Sequence, residues 1–213
     1  MKTENIDYWK KTLKNPPQSY IKLFEQEKDY LRKNIKRGER VLDIGCGEGR
    51  NILSIIDITD NVVGVDIDEK AVEDTKNNLK SHPKVNVLLG SAISLPFDDK
   101  DFDVVVFSMT LVNLDSEKDR ALSEMKRVVK DEGKIIVSVY SEKALKERWG
   151  MYKQTEIPIK SEVNGKFIFD IEGFVSEQFS ISDIEKMIEP IGLSIDNYEE
   201  VESLAYIFTL KKV

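Results

Sequence analysis

The chain has 213 residues, 40% of them apolar and 33% charged, enough for one good-sized domain with a filled core and a soluble surface. A formal net charge of −7 argues against a general duplex-DNA binder, the single Cys46 excludes an internal disulfide framework, and no apolar run approaches the length of a membrane span. The opening MKTENIDYWKKTLKN is charged and lacks the apolar core of a signal peptide, so the expectation is a cytoplasmic protein.

The charge is uneven along the chain. Residues 1–40 hold eleven Lys and Arg against six Asp and Glu. This reads as the solvated face of amphipathic helices, and an anionic partner such as RNA is the sharper alternative. A short helix is expected over 5–14 and is cut off by Pro16 and Pro17. A second, over 18–36, carries Tyr20, Leu23, Phe24, Tyr30 and Leu31 near helical spacing.

From residue 40 the pattern alternates. RVLDI (40–44) reads as a strand, NILSIID (51–57) as a helix and NVVGVD (61–66) as a strand. EKAVEDTKNNLK (69–80) is a helix with Asp68 as N-cap. VNVLLG (85–90) and the almost wholly apolar FDVVVFSM (102–109) are strands. SEKDRALSEMKRVVK (116–130) is a helix opened by Ser116, and GKIIVSVY (133–140) a strand. Apolar strands alternating with amphipathic helices predict a parallel sheet covered on both faces, with ligands at the carboxyl ends of its strands. Those ends are the loops at 44–50, 66–68, 90–93 and 108–114.

The rhythm changes after residue 140. ALKERWGMYKQ (144–154) reads as a helix. Asn164-Gly165 between IPIKSEV and KFIFDI is a strong two-residue hairpin signal within 157–171. Ser180 or Ser182 caps a short helix ending at Pro190, and strands over 193–200 and 204–211 close the chain.

The stretch VLDIGCGEGR (41–50) carries most of the functional information. Its glycines form G-x-G-x-G rather than the dinucleotide fingerprint G-x-G-x-x-G. Asp43 and Glu48 would oppose a pyrophosphate, whereas a ligand that is cationic there would tolerate both. S-adenosylmethionine is such a ligand, with an ammonium, a carboxylate, a sulfonium and no phosphate. Bare glycines let the chain pass close to its amino-acid tail. Asp66 ends the second strand, 21 residues after Gly45, where a carboxylate accepts both hydroxyls of a ribose.

VLDIGCGEGRN, VVGVDID, LLGSAISLPFDDKDFDVVVFSMTLVNL and EMKRVVKDEGKIIV, in that order, resemble the successive motifs of class I S-adenosylmethionine-dependent methyltransferases. The nearest flavour is the small-molecule branch of the ubiquinone/menaquinone-biosynthesis type. The resemblance covers about 40–140 well and the flanks loosely. It implies an α/β fold: a Rossmann-like doubly wound seven-stranded sheet, mostly parallel with the last strand antiparallel, with helices on both faces. It also implies one methyltransferase domain over 1–213. Within it, 1–38 is a helical cap, 39–140 the cofactor-binding core, 141–179 an inserted helix and β-hairpin lid, and 180–213 a terminal helix and two strands.

Carried onto this chain, the resemblance implies that Asp43, Gly45, Cys46, Gly47 and Gly49 line the methionine end. Asp66 would hold the ribose and Ile67 would lie against the adenine. Ser91, Ala92 and Ile93 would reach the adenine edge, and Ser108 and Met109 would close the pocket beneath the sulfonium. The chain departs from the family at Ser91, where many relatives carry an acidic residue for the adenine amino group. It departs again at Asp131-Glu132-Gly133, where relatives often read Pro-Gly-Gly.

Other residues invite chemistry that the sequence does not support. Asn15-Pro16-Pro17-Gln18 is similar to the Asn-Pro-Pro-aromatic motif of amino methyltransferases, but it follows a polar segment and lacks the aromatic. Cys46 has no nearby His to make it a nucleophile, His82 reads as a surface loop residue, and no His/Cys cluster suggests a metal. Methyl transfer is an in-line displacement that mainly needs the nucleophile held about 3 Å from the methyl group, in a dry site. No general base stands out. Substrate contacts are expected from an aromatic-rich cap drawn from Tyr8, Trp9, Tyr20, Asn113, Tyr140, Trp149, Tyr152 and Phe179. The expected activity is methylation of a small molecule. An RNA or protein acceptor, a non-catalytic S-adenosylmethionine binder and an NAD-dependent oxidoreductase are the alternatives.

Overall fold

The computed structural model describes residues 15–171 and 173–213. The helix expected over 5–14, with Tyr8 and Trp9, lies outside them. Helix α1 spans Gln18–Asn34 and begins at Pro17, whose fixed φ suits a helix entrance. It buries Tyr20, Leu23, Glu27, Tyr30 and Leu31.

The core then runs β1 (Val41–Ile44), α2 (Arg50–Ile55), β2 (Val62–Asp66), α3 (Glu69–Asn78), β3 (Asn86–Leu89) and β4 (Phe102–Ser108). It continues through α4 (Lys118–Val128) and β5 (Val129–Ser141). Asp68 caps α3, accepting from the amides of Lys70 and Ala71. The helix expected to start at Ser116 begins later, at Lys118, without a side-chain cap. Two short 3₁₀ turns, Leu111–Asn113 and Asp115–Glu117, occupy the preceding residues. Asp115 adopts φ +48, and its carboxylate is held by Lys166 instead of capping α4.

Strand β5 starts four residues earlier than the sequence suggests. Its pairing with β4 jumps from Phe102↔Val129 to Val104↔Lys134, so the Asp131-Glu132-Gly133 turn is absorbed as an irregularity inside the strand.

The second half contains α5 (Leu145–Gln154), β6 (Ile159–Val163), β7 (Lys166–Phe169), β8 (Val175–Ser176), β9 (Gln178–Phe179) and α6 (Ile181–Ile188). Strands β10 (Leu193–Val201) and β11 (Ala205–Lys212) follow. Ser180 and Asp183 form a full capping box for α6. The β6–β7 turn places Asn164 at φ +51 and Gly165 at φ +81, the two left-handed residues that a tight hairpin of this kind requires.

The main sheet has the order β10-β11-β5-β4-β1-β2-β3. Pairing is parallel from β3 through β5, and β11 runs antiparallel to both of its neighbours. The sheet holds eight strands rather than the expected seven, because two-residue β9 pairs in parallel with the end of β5. β5 extends past the last residue of β4, and β9 takes up the backbone groups left unpaired there. The hairpin also gains a third strand, β8, making a separate β6-β7-β8 sheet. Among the described residues, no helix is long and apolar enough to cross a membrane.

Arg148 of α5, 0% exposed, ties the pieces of the 141–179 segment to one another and contacts β5 through Tyr140. It donates to the carbonyl of Gly165 (2.7 Å), the carbonyl and hydroxyl of Ser176 (2.7 and 2.9 Å) and the side-chain oxygen of Gln178 (3.0 Å). Its guanidinium lies between the rings of Tyr140 and Phe167, 4.5 Å from each. Arg148→Met keeps the stem but leaves those buried acceptors unpaired. We expect it to lower the unfolding free energy by about 2–4 kcal/mol in urea titrations, whereas Lys153→Met on the same helix should stay within about 0.5 kcal/mol.

Candidate active site

The strand order reverses between β1 and β4, so the loops leaving these strands diverge and open a mouth at their carboxyl ends. The glycine loop, Asp66, the 91–93 turn and Ser108–Met109 gather around it through strand pairing. Gly45 makes the approach possible. Its φ is +69, and a Cβ there would stand 2.4 Å from Thr110 Oγ1, so the loop lies directly on the chain leaving β4. At Gly47 (φ +54) an added Cβ would meet nothing within 4 Å, leaving open space over the loop.

Asp43 is 1% exposed. Its Oδ1 accepts from Asn51 Nδ2 at 3.3 Å, while Oδ2 is buried with no partner among the described residues. Burial pushes its pKa up to about 7. The Asn51 bond and the charge of Arg50 oppose that rise, and Asp66 and Glu27 add to it. Asp66 is half-buried. Its Oδ2 accepts the Gly47 amide (2.9 Å) and its Oδ1 the Asp68 amide (3.0 Å). Burial raises its pKa too, and those amides restrain the rise.

Cys46 is buried, and burial pushes its thiol up, away from nucleophilic form. Thr75 donates to the Gly47 carbonyl and thereby ties the loop to α3. Gly49, at φ +84, is the N-cap of α2. Beside Asp66, Ile67 is 47% exposed, and Leu89 at the end of β3 is 51% exposed, an apolar surface at the rim of a charged mouth. Ser91, Ala92 and Ile93 form a half-buried turn closed by a Ser91–Ser94 bridge. Met109, at φ +50, donates its amide to Ser138.

The residues expected to contact substrate fall into two groups. Tyr20, Tyr140, Tyr152 and Phe179 are buried, with Tyr20 Oη donating to Tyr140 Oη at 3.2 Å and Tyr152 Oη to Ser176 Oγ at 3.2 Å. Burial holds the Tyr20 and Tyr140 phenols above the ordinary tyrosine value, so neither is a ready base. Asn113 and Trp149 are half-buried. Asn113 donates to the Val175 carbonyl at 2.7 Å, and Trp149 stacks edgewise on Phe167. Sequence reasoning missed Glu27 and Arg148. Glu27 has a legible trace, a carboxylate on the apolar face between Leu23 and Tyr30–Leu31. Arg148 has none. Among the described residues, no group of three His, Cys, Asp or Glu side chains could hold a metal ion.

Between roughly pH 4 and 7 folded Asp43 holds a proton that the unfolded chain has released, so this group costs stability progressively as pH rises through that window. We expect the stability of Asp43→Asn relative to the parent to rise by roughly 2–4 kcal/mol between pH 4 and pH 8 in urea titrations. A difference that stays constant with pH would mean that Asp43 titrates normally.

The model of the methyltransferase domain family matches residues 42–137. The chain is 29% identical over 175 residues to a demethylmenaquinone methyltransferase of Staphylococcus saprophyticus, an alignment covering 77% of this chain and 75% of that protein. Its structure is similar to that of a Pyrococcus horikoshii protein, with a TM-score of 0.73, 25% identity and 93% of each chain covered. It is also similar to a SAM-dependent methyltransferase of Aquifex aeolicus, with a TM-score of 0.70, 20% identity and all of both chains covered. Residues 42–137 thus carry a methyltransferase domain, and the chain resembles the quinone-biosynthesis-like branch of the class I S-adenosylmethionine-dependent methyltransferases.

Proposed function

We propose that the protein binds S-adenosylmethionine at the β1–β2–β4 mouth and transfers its methyl group to a small-molecule acceptor by in-line displacement. The observation that carries this reading is the buried, unpartnered Oδ2 of Asp43 beside a glycine loop rimmed by a second carboxylate, Asp66. A buried acceptor without a donor is costly, and the cofactor's ammonium group, directly or through a water, supplies one. A pyrophosphate would instead set about two negative charges against Asp43 and Asp66.

In this reading Gly45, Cys46, Gly47 and Gly49 shape the cradle for the amino-acid tail. Asp66 still has free lone pairs on both oxygens for ribose hydroxyls after accepting its two amides. Ile67 offers its exposed side chain to the adenine, and Ser91, Ala92 and Ile93 bound the adenine edge. Ser91 brings a hydroxyl where an acidic residue would bring charge, so the adenine amino group is held by fewer charge-assisted bonds. Ser108 and Met109 floor the reacting end. The sulfonium supplies an activated methyl group and a good leaving group, so the chain's task is to position the acceptor and exclude water. No metal enters this scheme.

The insertion over 141–179 sits beside the end of β5 through β9, and we read it as the element that selects the acceptor. Tyr20, Tyr140, Tyr152 and Phe179 support it from within the core, and Trp149 and Asn113 are less deeply buried. The small-molecule reading is favoured over RNA because basic side chains around α1 are already engaged. Lys22, Arg32, Lys33 and Arg40 pair with Glu202, Asp57, Glu199 and Asp101.

Two measurements test the reading. With methyl-labelled S-adenosylmethionine and a cell extract, label is expected among small molecules, and label confined to RNA or protein would overturn the acceptor class. Asp66→Ala is expected to weaken S-adenosylhomocysteine binding by about 1–3 kcal/mol in calorimetry, through lost hydrogen bonds to a charged acceptor. Unchanged affinity in a folded variant would move the ribose elsewhere.

A further inference from the structure

Glu27 lies outside the contacts proposed for the cofactor, yet it joins three elements around the mouth. Its carboxylate is 1% exposed within α1. Oε2 accepts from Arg50 Nη2 at 2.6 Å, and Oε1 accepts from the Ser138 hydroxyl. Ser138, in β5, accepts the Met109 amide on both its carbonyl (3.0 Å) and its Oγ (3.1 Å). A serine hydroxyl has one proton, and here Glu27 takes it, so the oxygen's lone pairs face the Met109 N–H. Met109 needs that hold, because φ +50 is a region that side chains other than glycine occupy at a cost.

The second arm runs to the glycine loop. Arg50 is the first residue of α2, where a cation meets the positive end of a helix. Helix α1 grips it from two positions one turn apart, with the Phe24 ring 4.4 Å from the guanidinium carbon and Glu27 on its Nη2. Packing alone would not select a buried carboxylate on α1, since an apolar side chain there fills space without a desolvation cost. What the carboxylate adds is two directed bonds to opposite sides of the mouth.

We propose that Glu27 is a positioning residue for methyl transfer. Through Ser138 it sets the Met109 backbone, and through Arg50 it sets the glycine loop, so the cofactor floor forms only when α1 is docked. The proposal rests on the reading that this mouth holds S-adenosylmethionine.

The test measures S-adenosylhomocysteine affinity by calorimetry and hydrogen exchange at the Met109 amide by NMR. In Glu27→Gln the amide nitrogen must face either Arg50 or Ser138, so one bond is lost and one donor opposes another. We expect the dissociation constant to rise at least about tenfold and Met109 exchange to speed at least about tenfold. Ser138→Ala should speed Met109 exchange to a similar degree, and the double variant should exchange no faster than the quicker single one. Lys22→Ala, which breaks an exposed ion pair of the same helix, should change neither.

A Glu27→Gln protein that is less stable but keeps parental affinity and Met109 exchange would overturn the proposal. Should that variant fail to fold, Ser138→Ala decides, and parental Met109 exchange there would overturn it equally. A parent protein that does not bind S-adenosylhomocysteine would instead refute the cofactor reading, and the exchange measurements would still report whether Glu27 holds Met109.

Discussion

A carboxylate is buried at the centre of a parallel sheet, and the architecture around it answers that constraint. Every residue of β1 is buried, Asp43 included. A charge there lies in a low-dielectric setting and must be neutralised, hydrogen-bonded or protonated. Asn51 supplies one bond, and Arg50 supplies an opposite charge nearby. Arg50 is itself only half covered and is held by Glu27 and Phe24 from α1. The polar chain thus runs outward from a strand end to a helix that packs against α2 and against the far strands β10 and β11. One oxygen of Asp43 is left over, and that residue of unmet demand is what a cationic ligand would meet.

The insertion solves the opposite problem with different means. Arg148 is a buried cation, and its bonded partners are carbonyls, a hydroxyl and a side-chain amide, with aromatic faces on either side. The guanidinium's planar array of donors suits that role, since it spreads its charge over several acceptors and stacks on rings. Its partners lie in the β6–β7 turn, in β8 and in β9, so one side chain fixes three separate pieces of chain to α5. A second tie lies nearer the surface. Lys118 and Lys166 share Glu177, and Lys166 also holds Asp115, which joins the insertion to the loop after β4. The residues that would face an acceptor are thereby set by contacts with strands far away in sequence.

The central alternation of strands and helices was readable because both patterns are local. Strands buried on both faces read as apolar runs, and α3 and α6 announce themselves with Asp68 and Ser180–Asp183. The Asn164-Gly165 turn was readable for the same reason, since two adjacent left-handed residues demand that pair. The start of α4 was not, because Asp115 bonds to Lys166, 51 residues away, and the local capping pattern at Ser116 lost to it. Strand β9 was invisible as well. Two residues carry no periodicity, and they pair only because β5 outruns β4.

The proposed cofactor residues show the same division. Asp43, the loop glycines and Asp66 stood out because their backbone demands and charges are written within a few residues of each other. The aromatic candidates were identifiable as large apolar groups, but whether a tyrosine lines a cavity or fills a core depends on neighbours distant in sequence, and Tyr20, Tyr140 and Tyr152 turned out buried. By itself the sequence determined the alternation of core strands and helices, the parallel core and the backbone demands of the glycine loop, because helical and strand periodicity, caps and tight turns are short-range. Only the tertiary structure decided that Glu27 would bridge Arg50 and Ser138 and that Arg148 would bind the insertion. A buried charge takes its meaning from partners that folding brings together, here up to 111 residues apart.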